Sequence, residues 1–444
     1  MAASIPAADT LARSAPLRAA QDFVLQLKPH CHVLVAVSGG GDSIGLLSAL
    51  LAAKTISGRN DIQLTAATVD HGLRPEAADE ALWVGAFCAE RGIAHHTLVW
   101  ADDKPQSGLM VAARHARYRL LSSLAGRCGA DVIAVAHTMD DQAETFAMRA
   151  SRGASTVLTG MADKTLIEGR HWIARPFLKI GRSAIRDFLT LNGLSWIDDP
   201  SNDDAHYERV RTRQSIQETV ETLAADAEKA AQARDRLSRS AAHLFAGIAT
   251  IHGATVAQLD IDGLLGAGDA ARYLLNILVP ALGGLSYGPG GDVLDRVTAL
   301  CTAPHGARMT AGRCLFERHR GHLFILRERR GLPETEIAPG GSAVWDGRFC
   351  FENRSQAALR IRPAGPDGAG DADAFSGLPP RLAHLAAAVC PVAMDTAGKQ
   401  VLPTGVYLAP FDRFLPGFDL TLANMMAAAF THAAYREPAA TYLR

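Results

Sequence analysis

Val33-Leu34-Val35-Ala36-Val37-Ser38-Gly39-Gly40-Gly41-Asp42-Ser43 decides how the first half of this chain is read. Five apolar residues make a buried strand, and Ile44-Gly45-Leu46-Leu47 beyond Ser43 opens an apolar helix. A strand that passes through such a turn into a helix N-terminus gathers backbone N–H groups and the positive end of a helix dipole at one point, which suits phosphate. Three glycines permit a close approach that side chains block. The pattern is neither G-x-x-x-x-G-K followed by Ser or Thr nor G-x-G-x-x-G, so it is neither of those nucleotide loops. A turn that merely connects strand to helix does not call for an aspartate and two serines. Ser38 and Ser43 are expected to hold phosphate oxygens, and Asp42, which repels phosphate, to hold a Mg2+ that bridges them.

Outward from this loop, strand-like runs at 33–37, 64–69, 95–100 and 131–136 alternate with helical patterns at 42–53, 76–91, 109–127 and 140–149. That alternation predicts an α/β domain with a mostly parallel, doubly wound sheet. Residues 212–245 are rich in Ala, Glu, Gln, Arg and Lys, predicting a long helix or helix pair, and helical patterns follow at 268–281 and 291–300. After Pro304 come strand-like pieces at 314–318 and 322–326 and a Gly-, Pro- and Ala-rich stretch from 331. A chain of 444 residues is too long for one ordinary core. The expected division is an α/β catalytic domain over 1–215, a helical domain over 216–304 and a small mixed C-terminal domain over 305–444.

The formal net charge of −1 neither supports nor excludes a nucleic-acid partner, so any basic surface is local. Seven cysteines, at 31, 88, 128, 301, 314, 350 and 390, form no C-x-x-C, which suits a reducing compartment and argues against structural zinc, an iron–sulfur cluster or a disulfide framework. Pro6, Asp9, Arg13 and Pro16 interrupt any signal-like apolar run, and no stretch elsewhere is long enough to span a bilayer. The expectation is a cytoplasmic protein without a membrane partner.

A second group of residues follows the strand at 131–136: His137-Thr138-Met139-Asp140-Asp141-Gln142-Ala143-Glu144-Thr145. Ligands of open α/β sheets gather at the carboxyl ends of strands, which puts this segment near the phosphate loop. Asp140 or Asp141 and Glu144 are three or four positions apart and share a helix face, able to hold a metal or a cationic substrate. The plainer reading is N-terminal capping, where acidic residues are common. Elsewhere stand Asp70-His71-Gly72-Leu73-Arg74, Ala113-Arg114-His115-Ala116-Arg117-Tyr118, and Trp196-Ile197-Asp198-Asp199-Pro200-Ser201-Asn202-Asp203 ahead of Arg209, Arg211 and Arg213. Pro200 and Asn202 mark a turn before a helix. Arginines at that helix's start are electrostatically out of place, which favours a phosphate or carboxylate partner for them.

Taken in order, S-G-G-x-D-S, D-H-x-L-R, A-R-x-x-R-Y, H-x-x-D-D-Q-x-E-T and W-x-x-D-P-S-N-x-D resemble the PP-loop ATP pyrophosphatases and, among them, the lysidine synthases. The resemblance covers roughly 33–213, with Val210 and Met110 departing from the family pattern. It implies an adenine nucleotide alpha hydrolase-like fold, and a ligase that uses ATP and Mg2+ to adenylate the wobble cytidine of a tRNA(Ile) with a CAU anticodon and then joins L-lysine to it. It further implies that Ser38, Gly39, Gly40, Gly41, Asp42, Ser43, Asp70, His71 and His137 bind ATP, with Asp42 on the metal. Asp42, Asp141 and Glu144 are the expected catalytic residues, and Arg117, Asp141, Glu144, Arg209 and Arg213 the expected lysine site. Contacts to tRNA are expected from Arg149, Arg152, Arg209, Arg211, Arg318 and Arg320, and basic stretches at 229–239 and 308–330 are the other candidates. A homodimer is compatible with this. The rival reading is a PP-loop tRNA thiolation enzyme, which the lack of a C-x-x-C disfavours.

Overall fold

The structure is a computed structural model that describes residues 14–153, 158–198, 208–216, 219–366, 375–395 and 398–439. Described residues up to Ala231, with 436–439, form one compact unit, and 232–435 form a second. The first unit is built from α1 (Ala15–Gln26), β1 (His32–Ala36), α2 (Gly41–Ile56), β2 (Gln63–Asp70), α3 (Ala77–Ala89), β3 (Ala94–Val99), α4 (Leu109–Cys128), β4 (Val132–Ala134), α5 (Met139–Ser151), β5 (Lys164–Ile167), β6 (His171–Ala174), α6 (Arg182–Leu191) and α7 (Glu208–Ser215). The division between the units falls within α8 (Val220–Ile248).

Strands of the first unit run in the order β5-β6-β4-β1-β2-β3. β1 pairs in parallel with β2 and β4, β2 with β3, and β4 with β6, while β5 closes an antiparallel hairpin on β6. Val33, Leu34 and Val35 are fully buried, as in a central parallel strand covered on both faces of its sheet, which is why β1 reads as a continuous apolar run. From β1 the chain winds outward through β2 and β3 and returns to β4 on the other side. The reversal leaves a crevice at the carboxyl ends of β1 and β4, where ligands of such sheets settle. The phosphate loop leaves β1 and the acidic helix α5 follows β4, so the topology brings them to the same end.

The strands and helices expected over 33–149 are present with shifted ends. Helix α1, the β5–β6 hairpin and α6 are additions to those expectations. Pro16 looked like an interruption but sits in the first turn of α1, where its missing N–H costs nothing. β5 and β6 have four residues each, too few to show a period.

The second unit opens with β7 (Ala249–His252), β8 (Val256–Asp260), α9 (Ile261–Gly266), α10 (Asp269–Gly283), α11 (Gly291–Thr302), β9 (Arg308–Ala311), β10 (Cys314–His319) and β11 (His322–Arg327). These strands form an antiparallel sheet in the order β7-β8-β11-β10-β9. β8 pairs with β11, so strands on both sides of the boundary expected at 304 share one sheet. Beyond it, β12 (Thr335–Ile337), β13 (Ser342–Trp345), β14 (Phe349–Glu352) and β15 (Leu359–Pro363) surround an apolar cluster of Ile337, Trp345, Phe349, Phe351, Leu359 and Ile361.

Arginines of the 308–330 stretch do more inside this unit than on its surface. Arg327 is fully buried and donates from Nε to Asp346 Oδ2 at 3.0 Å, and Arg348 Nε donates to the same oxygen at 2.8 Å. Arg313 pairs with the other oxygen of Asp346. Arg308 pairs with Glu317, and Arg318 donates to the carbonyl of Ala303. Arg320 is exposed at the β10–β11 turn. In the 229–239 stretch, Arg234 is held by Asp419 and Tyr273, Lys229 by Asp226, and Arg239 by Asp235. Arg234, Arg313 and Arg327 are thus spent on carboxylates, because an arginine taken out of water must be paired, while Arg236, Arg239, Arg320, Arg329 and Arg330 stay exposed. Asp346→Asn should therefore destabilise the fold by about 3–5 kcal/mol, since it leaves buried guanidiniums uncompensated. Equilibrium denaturant unfolding checks this; an unchanged midpoint would contradict it.

Candidate active site

Between β1 and α2 the backbone turns at Gly39, whose φ of +86° only glycine adopts without strain. Gly40 caps α2 without a side-chain bond, and its carbonyl takes the N–H groups of Ser43 and Ile44, each at 3.0 Å, which leaves those of Gly41 and Asp42 without an acceptor in the helix. Ser43 Oγ braces the turn by donating to Gly40 O at 2.9 Å and accepting from Ser38 N at 3.1 Å. Ser38 Oγ lies 3.3 Å from Ser43 Oγ. From outside, Ile197 N donates to Gly39 O at 3.0 Å, and an added Cβ at Gly39 would lie 2.9 Å from Ile197 Cδ1. Gly39→Ala thus combines a left-handed backbone with a clash, and should cost about 1–2 kcal/mol of stability. Its KM for ATP should rise at least about tenfold, because loop N–H groups must be preset to bind charge. Steady-state kinetics with an unfolding curve checks both, and a KM unmoved by the substitution would contradict the loop's role.

Helix α5 brings up the carboxylates. Thr138 caps it in a capping box: Asp141 N donates to Thr138 Oγ1 at 3.3 Å, and Thr138 N donates to Asp141 Oδ2 at 2.8 Å. The plainer reading of Asp141 is thus true of one oxygen. The other, Oδ1, accepts from Arg209 at 2.8 Å and from Arg182 at 3.2 Å. Glu144 is 1% exposed, with Oε2 accepting from Arg209 Nε at 2.6 Å and Oε1 from Arg213 Nε at 2.7 Å. Arg209 and Arg213 stand four apart on α7 and so share one face, whereas Arg211, two residues on, points elsewhere and is exposed. Arg182 Nε also donates to Asp42 Oδ2 at 3.0 Å, and Asp140 Oδ2 accepts from Arg182 N at 2.8 Å. Around this point four carboxylates, Asp42, Asp140, Asp141 and Glu144, meet three guanidiniums.

Electrostatics follows from that packing. Burial raises the Asp42 carboxyl above its ordinary value, although Arg182 pulls it down. Burial pushes Asp141 the same way, but Arg209 and Arg182, with a hydrogen bond from Thr138 N, outweigh it and hold its carboxyl below the usual range. Burial, and then the positive charge of Arg175, lowers the His137 imidazole to about 3, so it is neutral and takes the Arg175 Nε–H on Nδ1 at 3.3 Å. Burial, then Arg117, lowers His71 to about 4.

Other expected residues fall into place around this centre or away from it. Asp70 Oδ1 accepts from Gly72 N at 2.7 Å at the end of β2. Next to it His71 Nε2 lies 3.4 Å from Arg117, so the contact the structure gives Arg117 is to His71 rather than to the acidic helix. Arg149, expected on tRNA, donates to the carbonyls of Thr159 and Gly160 at 2.8 and 2.7 Å and braces that segment. Arg152 is exposed and pairs with Glu208. Asp199, Pro200, Ser201, Asn202, Asp203 and Tyr207 lie outside the described residues.

The model of the PP-loop domain family matches residues 14–220. The tRNA(Ile)-lysidine synthase of Rhizobium meliloti (strain 1021) is 38% identical, covering 96% of this chain and 97% of that protein. The chain belongs to the tRNA(Ile)-lysidine synthase family. The tRNA(Ile)-lysidine synthase of Brucella melitensis biotype 2 is 37% identical, over 89% of this chain and 94% of its own length. A solved structure of the U34-tRNA thiolase NcsA from Methanococcus maripaludis is 16% identical, with a TM-score of 0.42 over 50% of this chain and 79% of that one, too slight a likeness to bear on fold or function. As a member of the lysidine synthase family the chain is an ATP-using ligase. Among the described residues no helix is long and apolar enough to cross a membrane.

Reading the lysidine synthase motifs alone missed Arg182, Arg175 and Gln142. Arg182 opens α6, a cation at the wrong end of a helix dipole, the same misfit that marked Arg209. Arg175 follows β6, beside β4, where the strand-end rule applies again. Gln142 lies within the H-x-x-D-D-Q-x-E-T run. Its amide donates to Met161 O at 3.0 Å and accepts from Met161 N at 2.6 Å, fixing the back of α5.

Proposed function

We propose that this chain catalyses the ATP-dependent joining of L-lysine to C2 of the wobble cytidine in the CAU anticodon of tRNA(Ile), so that the tRNA reads AUA instead of AUG. The observation that carries the reading is the meeting of an open helix N-terminus, at Gly40 to Asp42, with the cluster of Asp141, Glu144, Arg209 and Arg213. In the first step the C2 oxygen attacks the α-phosphorus of ATP and pyrophosphate leaves. Loop N–H groups, Ser38 and Ser43 bind the charge that builds on the phosphates. Asp42 fits Mg2+, being a hard oxygen donor that burial leaves undercompensated, and the ion when bound neutralises phosphate charge.

In the second step the ε-amine of lysine displaces AMP. Lysine is a zwitterion, and the Asp141–Glu144–Arg209–Arg213 cluster has a counterpart for each of its charges. Its ε-ammonium replaces a guanidinium at Glu144 or Asp141, and its carboxylate takes the arginine thus freed, bidentately. The amine must be neutral to attack, and the same carboxylates accept its proton. A cytidine in a single-stranded loop leaves its stack cheaply to reach them.

Thiolation is the weaker alternative on chemical grounds. Sulfur transfer needs an available thiolate, whereas burial pushes the Cys31 and Cys314 thiols up to about 12 and those of Cys88 and Cys301 to about 11. Contacts to tRNA from Arg152, Arg211 and Arg320, which are exposed, belong to this proposal, with residues 1–215 supplying the chemistry and the remainder RNA affinity. The decisive experiment incubates the protein with labelled lysine, ATP and a tRNA(Ile) transcript carrying CAU, then weighs the anticodon nucleoside. Lysine is expected on C34, with AMP and pyrophosphate released only when tRNA is present. An unmodified cytidine would refute the reading.

A further inference from the structure

We propose that Arg182 is a positioning residue that couples the nucleotide half of the site to the lysine half. The inference rests on the function proposed above and deepens it. One side chain, 19% exposed, reaches both halves: Nε donates to Asp42 Oδ2 at 3.0 Å in the phosphate-loop helix, and the terminal nitrogens meet Asp141 Oδ1 at 3.2 Å and Glu144 Oε1 at 3.9 Å in the acidic helix.

Its backbone is anchored to α5 as well. Arg182 N donates to Asp140 Oδ2 at 2.8 Å, so a carboxylate of α5 caps α6, and Met139 N donates to Ile180 O at 2.9 Å just ahead of it. Against α2 the fit is close: an added Cβ at Gly45 would lie 2.4 Å from Ile185 Cγ2. The N-termini of α2, α5 and α6 therefore converge on one guanidinium. Three positive helix ends in one place favour carboxylates, and a cation belongs there only because the carboxylates outnumber it. A planar fork with five donors spans acceptors on two helices, which the single ammonium of a lysine cannot do. A shift of Asp42 is thus transmitted to Asp141 and Glu144, and the reverse.

A residue that merely stabilised the fold would lower the unfolding midpoint and leave both substrates' constants alone. Coupling requires that both move together. Steady-state kinetics with ATP, lysine and tRNA varied in turn should show, for Arg182→Met, a fall of about 30-fold or more in kcat/KM for ATP and for lysine alike, as expected when reacting groups are misplaced by an ångström or less. KM for tRNA should stay within about threefold. Arg182→Lys keeps the charge and should restore at most one of the two. Lys179→Ala, which removes an exposed pair with Glu228, should match wild type and controls for the neighbourhood.

The coupling is overturned if Arg182→Met moves neither constant or only one, or if Arg182→Lys is wild-type for both substrates. Should Arg182→Met fail to fold, the lysine variant decides by the same two constants. Failure of the functional reading shows elsewhere, as wild-type protein that incorporates no lysine, which overturns both.

Discussion

Asp42→Ala should lower tRNA-dependent release of AMP and pyrophosphate by about 10³-fold, close to 4 kcal/mol of transition-state stabilisation. The carboxylate sits in the first turn of α2, where the helix N–H groups also point, so it acts at the phosphates themselves. It has a second duty, as the acceptor for Arg182 Nε. Removing it withdraws the metal's donor and frees Arg182 from the nucleotide side. The fold should hardly suffer. Asp42 and Arg182 retain 27% and 19% side-chain exposure, Arg182 keeps Asp141, and a partly solvated pair contributes about 1 kcal/mol or less. A malachite-green or radiolabel assay of pyrophosphate beside a thermal melt separates the two effects. Turnover within tenfold of wild type would leave the phosphate loop without its assigned chemistry.

How much of this site could be read beforehand depended on how local its physics is. The phosphate loop is local: strand, glycines and helix lie within eleven consecutive residues, and Gly39 is dictated by a backbone angle that the turn imposes. Periodicity likewise put Asp140 or Asp141 with Glu144 on a single helix face. Sequence spacing does not say which face meets which, so Arg209 and Arg213 on Glu144 emerged only when α7 was seen against α5. Arg182 was missed for the same reason. Its partners lie 140 and 41 positions away in the chain, and no motif joins them. The second unit shows the same limit. In the run of arginines after 308, Arg320, Arg329 and Arg330 are exposed, whereas Arg313, in the β9–β10 turn, and Arg327, at the end of β11, turn to the one carboxylate at Asp346, a partner that spacing along the chain does not reveal.

Glu144→Gln separates the two halves of the reaction. Glutamine keeps the shape of the side chain and removes its charge, and one end of its amide becomes a donor facing a guanidinium N–H. Glu144 is buried and serves Arg209 and Arg213 with one oxygen each, so neither rotation of the amide satisfies both. Breaking a fully buried pair costs about 3–5 kcal/mol. Here Arg209 and Arg213 keep 41% and 29% side-chain exposure and are free to turn to water, which brings the loss nearer to about 1–2 kcal/mol. Kinetically the loss should be larger and selective. Without the carboxylate the ε-ammonium keeps only Asp141, whose oxygens already serve Thr138, Arg182 and Arg209, and kcat/KM for lysine should fall by about 10³-fold. Adenylation, followed as pyrophosphate release before lysine is added, should stay within about tenfold, since Asp42 and the loop are untouched. Glu144→Asp, which keeps the charge on a shorter arm, should fall between. If lysine transfer by Glu144→Gln instead runs within threefold of wild type, the ammonium is held elsewhere, and Asp141 with its arginines becomes a scaffold for α5 rather than a substrate site.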